Sequence, residues 1–145
     1  MASVPSGAYQ AAFANFVLEH ILDVDRAAKE IHRVLISGGL FATTLANPAA
    51  PEFVIAEHTP LWFHRLIKGG EVHATHYAYR SVADLVKRFE EAGFQLTEAL
   101  YYTHVRGYLQ RFPVLNVMGS LYDRLVEAFG LYGIMGAACL VFKKS

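Results

Sequence analysis

The chain has 145 residues, enough for one domain with a hydrophobic core. Hydrophobic residues make up 54% and charged residues 18%, which implies strands buried on both faces or surface that something else covers. Thirteen basic residues balance thirteen acidic ones, which speaks against nucleic acid and anionic membranes as partners, and the one cysteine, Cys139, excludes an internal disulfide framework and fits a reducing cytoplasm.

In chain order, Met1–Gly7 lacks the basic and apolar regions of a signal peptide. Ala11–Val17 is a short apolar run that predicts a strand buried on both faces. Asp23 is placed to cap a helix in which Val24, Ala27, Ala28, Ile31, Val34 and Leu35 share a face. His32 and Arg33 lie near its end, where the helix dipole favours positive charge. Gly38-Gly39 reads as the stop of that helix, and Leu40–Leu45 as a second buried strand ended by Asn47-Pro48. This strand–helix–strand unit is the pattern of a parallel sheet with crossover helices.

Between Ala49 and Gly70 a short apolar helix is expected, opened by Thr59-Pro60 and closed by Gly69-Gly70. Ser81 and Asp84 form a capping-box pattern ahead of Val82, Leu85, Val86, Phe89 and Ala92, and Gly93 ends that helix. A third strand follows at Phe94–Tyr102. Ser120 and Asp123 repeat the capping pattern before Leu121, Leu125, Val126 and Phe129, with Gly130 as the stop. Ala137–Phe142 gives the last strand. The longest apolar run, Ile134–Phe142, falls far short of the ~20 residues of a membrane-spanning helix. One domain over 1–145 is expected, without repeats or an internal linker.

Spacing alone gives little chemistry. His73 and His76 form H-x-x-H without the glutamate or helical context of a zinc protease. Cys139 sits in a strand pattern without a flanking base, as a small core residue does. The sequence holds no G-x-S-x-G, phosphate loop or G-x-G-x-x-G.

Resemblance goes further. The stretch from Tyr9 through Ala14-Asn15-Phe16 to Val17-Leu18-Glu19-His20-Ile21 resembles the fourth strand and following turn of the type 11 group of class I S-adenosylmethionine-dependent methyltransferases. There an F-D-x-V strand runs into a V-L-E-H turn. Glu30-Ile31-His32-Arg33-Val34-Leu35-Ile36-Ser37-Gly38-Gly39 resembles that group's E-x-x-R-V-L-x-P-G-G signature, and Ser81–Phe94 resembles its helix into strand six. Gln10 stands where the group has Asp, and Ser37 where it has Pro.

The resemblance implies the C-terminal half of a Rossmann-like α/β methyltransferase fold, with strands in the order 4-5-7-6 and the last one antiparallel. It implies S-adenosylmethionine as cofactor and a small-molecule acceptor. Asn15, Phe16, Val17 and Leu18 would touch the cofactor. Glu19 and His20 would orient or deprotonate the acceptor, since histidine titrates near neutrality. The competing reading has Glu19 capping backbone amides and His20 packed under the next helix. Residues 49–80 fall where the family builds its acceptor lid. Trp62, Phe63, His64 and Tyr77 would line an apolar pocket there, or, for Trp62 and Phe63, cover the sheet edge. A metal held by Glu19, His20 and His76 is disfavoured, because a hard cation prefers more carboxylate oxygen than these offer.

In this family the glycine-rich cofactor loop and the ribose-binding acid precede the F-D-x-V strand. The resemblance therefore implies a fragment, or one piece of a split methyltransferase, completed by an N-terminal half-domain or self-associating through the strand at 11–17. The alternative is a non-catalytic, degenerate half-domain that acts as a protein-interaction module.

Overall fold

A computed structural model describes residues 4–57, 77–103 and 113–145. Four strands are present: β1 (Tyr9–Asn15), β2 (Leu35–Ala46), β3 (Phe94–Tyr102) and β4 (Ala137–Lys144). The helices are α1 (Val24–Val34), α2 (Pro51–Glu57), α3 (Val82–Glu91) and α4 (Pro113–Ala128). The sheet order is β1-β2-β4-β3, with β1 parallel to β2 and β4 antiparallel to both its neighbours. This is the 4-5-7-6 arrangement expected, a Rossmann-like α/β fold.

Local chemistry explains several boundaries. Asp23 accepts the Arg26 amide at 2.9 Å and caps α1. Ser81 Oγ accepts the Asp84 amide, while the Asp84 carboxylate accepts the Arg80 amide one residue before the cap. At the far end of α1, Lys144 Nζ donates to the carbonyls of His32 and Leu35 at 2.6 and 2.8 Å. The last residues of the chain thus satisfy carbonyls that the end of a helix leaves open. The entry to β1 is tied to the same helix end, with Gly7 and Ala8 donating to Arg33 and Val34.

Three expectations are corrected. Gly38-Gly39 does not stop α1; the helix ends at Val34, and the pair lies within β2. Pairing jumps from Tyr9–Leu35 to Ala11–Leu40, leaving Ile36–Gly39 as surplus on β2. Gly38 has φ +75°, and a Cβ on Gly39 would come within 3.1 Å of the Gln10 carbonyl, so the two glycines serve a bulge against β1. Ser120 and Asp123 do not open a helix either. They lie within α4, where Ser120 donates to the Asn116 carbonyl one turn back. Finally, the first strand is not buried on both faces.

One sheet face carries the core. Phe41, Leu140 and Phe142 meet Phe89 of α3, and Val24 and Ala28 of α1 pack with the same cluster. The rings of Phe41 and Phe89 stack 5.4 Å apart, and those of Phe89 and Phe142 4.9 Å apart. Gly93, at φ +98°, turns the chain from α3 into β3 directly beside the His32 ring. On the other face the cross-strand rows are Phe13–Ala42–Val141–Glu98 and Asn15–Thr44–Cys139–Leu100. Phe13 is 72% exposed and Leu100 66%. The outer edge of β1 pairs with no other strand among the described residues.

Candidate active site

The carboxyl ends of β1, β2 and β3 and the start of β4 lie along one side of the sheet. In open α/β sheets this is where ligands bind. Each end is locally fixed. Asn15 closes β1 and accepts the Thr44 hydroxyl from β2. Phe16 follows with φ 50°, a left-handed conformation unusual for a non-glycine residue, and its amide is held by the Thr44 carbonyl. Asn47 closes β2. It is buried, and its Nδ2 donates to the carbonyls of Gly133 and Met135 ahead of β4.

A single 3-10 turn, Leu18–His20, follows Phe16 and Val17 and sorts the side chains sharply. Phe16, Val17 and His20 are exposed, whereas Leu18 joins the core. Of the four residues expected at the cofactor, Asn15, Phe16 and Val17 therefore face outward at the strand end, and Leu18 points inward. Glu19 and His20, expected to act together, part company. Glu19 is only 4% exposed, and its Oε2 has no hydrogen-bond partner.

Burial pushes the Glu19 carboxyl above the usual carboxylate range, against smaller opposing effects of its backbone and of His20. The phenol of Tyr79, which is buried, is also raised, first by burial and then by the Glu19 charge. Its hydroxyl donates to the Ala46 carbonyl at the end of β2, at 3.0 Å. The Tyr102 phenol at the end of β3 is likewise raised by burial, with Cys139 and Glu19 adding to it.

Tyr77, expected in the acceptor pocket, sits edge-on to Tyr79 with centroids 5.9 Å apart, and edge-on to Phe53 of α2 at 6.1 Å. The other expected pocket residues, Trp62, Phe63 and His64, lie outside the described residues, as do His73 and His76. Among the described residues, no group of three or more His, Cys, Asp or Glu side chains is arranged to hold a metal ion. None of the described helices is long and apolar enough to cross a membrane.

Residues 1–99 match the family described as methyltransferase domain. The chain belongs to this family. Solved structures agree in fold. An S-adenosylmethionine-dependent methyltransferase from Mesorhizobium loti is 18% identical, with 99% of this chain and 65% of that one covered at a TM-score of 0.60. The [4+2]-cyclase SpnF is 23% identical, over 97% of this chain and 51% of that one, at a TM-score of 0.55. The Haemonchus contortus phosphoethanolamine N-methyltransferase 2, solved in complex with S-adenosyl-L-methionine, is 12% identical over 98% of this chain and 34% of that one, with a TM-score of 0.56. This methyltransferase-domain chain thus spans 51% and 65% of the first two structures' own length. No curated protein matches it in sequence.

Proposed function

We propose that this chain is one part of an S-adenosylmethionine-dependent methyltransferase acting on a small-molecule acceptor. A second polypeptide segment supplies the glycine-rich cofactor loop and pairs with the outer edge of β1. The observation that carries the reading is the constellation at the strand ends: a left-handed Phe16, an outward Asn15 and Val17, and a buried carboxylate without a partner on Oε2 immediately after them.

The donor set fits one side of the cofactor. Phe16 and Val17 offer apolar contact and Asn15 a polar edge. The sequence holds no glycine-rich loop for the remaining contacts. When bound, the cofactor supplies an electrophilic methyl group. This chain's share of the work is to position the acceptor against that methyl, because an in-line displacement depends chiefly on alignment. His20, exposed beside the strand end, is the residue placed to take the proton the acceptor releases.

Titration with S-adenosylhomocysteine tests the division of labour. The isolated chain is expected to give no micromolar isotherm, and a clear one would refute the need for a second segment. With a complementing polypeptide that carries the glycine-rich loop, methyl transfer is expected, and His20→Ala should slow it by about tenfold or more per folded molecule. An unchanged rate returns His20 to a packing role. Binding of the complementing segment without any transfer would favour the non-catalytic interaction module, a reading that the open apolar face around Phe13 and Leu100 also suits.

A further inference from the structure

A surface helix normally turns its apolar stripe inward and leaves polar residues outside. α4 does the reverse. Among its described residues only Gly119 and Val126 are buried. Val117, Met118, Leu121 and Leu125 are exposed, and Phe129 carries the series one turn further, its amide donating to the Leu125 carbonyl at 3.0 Å. At about 3.6 residues per turn these five and the exposed Ala128 fall within about one third of the circumference, with no polar residue among them. The helix is fixed to the β3 end of the sheet. Thr103 donates to Glu127 at 2.8 Å, the Tyr122 hydroxyl donates to the Ile134 carbonyl, and the Tyr132 ring lies 5.3 Å from that of Tyr101 in β3. The stripe is thus held facing away from the molecule's own core.

Shape and area point to what covers it. The five large side chains are between 48% and 73% exposed. They offer on the order of 600 Å² per copy, so a symmetric pair buries roughly 1,200 Å², the lower end of specific protein interfaces. The stripe is also complementary to itself. Turned end for end about a point level with Asp123, Val117 lies opposite Phe129 of a second copy, Met118 opposite Ala128, and Leu121 opposite Leu125. Bulky side chains then meet small ones, and equal meets equal. A parallel pair would set Phe129 against Phe129 and leave Val117 against Val117. Arg124 and Glu127 lie on one flank, and the antiparallel pair brings the two charged flanks side by side, balanced in sign and open to water. A membrane surface suits this face less well, because its one flanking cation is offset by Glu127. A segment that pairs with β1 approaches the opposite edge of the sheet from β3, to which α4 is tied.

We infer that the outward face of α4 is a contact between two copies of this chain, paired antiparallel through Val117, Leu121, Leu125 and Phe129 about a two-fold axis level with Asp123. The contact needs no cofactor and does not depend on the methyl-transfer reading. It is distinct from association through the edge of β1, and its small area makes it the weaker of the two.

Phe13→Lys gives β1 the lysine that it lacks and so separates the two contacts. In the 145-residue chain carrying it, sedimentation from about 10 µM to about 1 mM should show a monomer–dimer equilibrium with a Kd of about 100 µM. Adding Leu121→Glu puts a charge at the middle of the stripe, at an exposed site. The thermal melt should stay in place, and the Kd should rise about tenfold or more. NMR on a mixture of labelled and unlabelled copies reads the geometry. Intermolecular NOEs should join the Val117 methyls to the Phe129 ring, and Leu121 to Leu125. Should Phe13→Lys fail to fold, the same NOEs are sought in the unaltered chain. A monomer throughout the concentration range, a dimer indifferent to Leu121→Glu, or NOEs that join Val117 to Val117 overturns the antiparallel pair. So does a chain that stays monomeric and binds phosphatidylglycerol vesicles through Leu121, which would give the face to a membrane. None of these outcomes bears on methyl transfer.

Discussion

Lys144 shows how much one side chain at the end of the chain can settle. Its ammonium closes α1 by taking the carbonyls of His32 and Leu35. It also adds to burial in holding the His32 imidazole below its usual pKa. As pH falls through the ordinary histidine range near 6.5, the unfolded chain takes up a proton that folded His32 resists, so the fold loses stability in that window. Lys144→Met should have two separable effects. At alkaline pH the fold should lose about 1 kcal/mol, because two helix-end carbonyls lose a charged donor. Below the histidine range the slope of stability against pH should flatten, because His32 titrates closer to its unfolded value. Thermal melts across pH, with the His32 ring followed by NMR, check both. An unmoved His32 titration would show that burial alone lowers it.

Among the elements, α3 carries more of the stability than its surface chemistry suggests. Arg88 and Phe89 are adjacent in sequence and make opposite kinds of contact. Arg88 reaches Asp25 of α1 at 3.1 Å and Asp84 at 3.4 Å, with Asp25 more than half exposed. Phe89 is fully buried among Phe41, Phe94 and Phe142. Arg88→Ala should therefore cost about 0.5–1 kcal/mol, as exposed ion pairs do. Phe89→Ala should cost about 3–5 kcal/mol through lost burial and the cavity left behind. Denaturant unfolding of the two variants compares them directly, and similar losses would mean that the helix is held by its charges.

Two of the three expected helix caps and one strand's bounds are legible in the sequence, whereas the first strand runs over Tyr9–Asn15 rather than Ala11–Val17 and the second over Leu35–Ala46 rather than Leu40–Leu45. Asp23 and Ser81 cap where expected, and Phe94–Tyr102 has its expected bounds. The double glycine misleads because its composition is the same for a helix stop and for a bulge; what decides is the close approach of the Gln10 carbonyl, a tertiary fact. The first strand misleads for another reason. Its apolar run is what a strand covered on both faces would carry, and in this chain Phe13 faces outward. Glu19 and His20 are indistinguishable as neighbours in a motif, and only the tightness of the turn puts one inside and the other out.

For the molecule as a whole, the uncovered surface sets the behaviour in solution. Among the described residues no strand pairs with the outer edge of β1, and Phe13, Leu100 and a run of apolar residues on and after α4, including Phe129 at 73% exposure, are exposed. β1 contains no proline or lysine to deter pairing. If that edge is the docking site proposed above, the chain alone should self-associate at micromolar concentration, and the complementing segment should suppress this. Light scattering behind size-exclusion chromatography reads the outcome. A monodisperse monomer with a cooperative melt would mean that the edge needs no partner.

The strand order has a consequence for how the chain is made. β4 follows the other three strands in sequence, yet it lies between β2 and β3 and pairs with both. Until Ala137–Lys144 leaves the ribosome, the β1–β2 unit and the α3–β3 unit have no strand to join them, and the Phe41–Phe89–Phe142 stack lacks its third ring. The sheet can therefore close only once its last strand in sequence is available, whatever the order in which the other units form. Loss of Ala137–Lys144 would remove the middle of the sheet, not its margin.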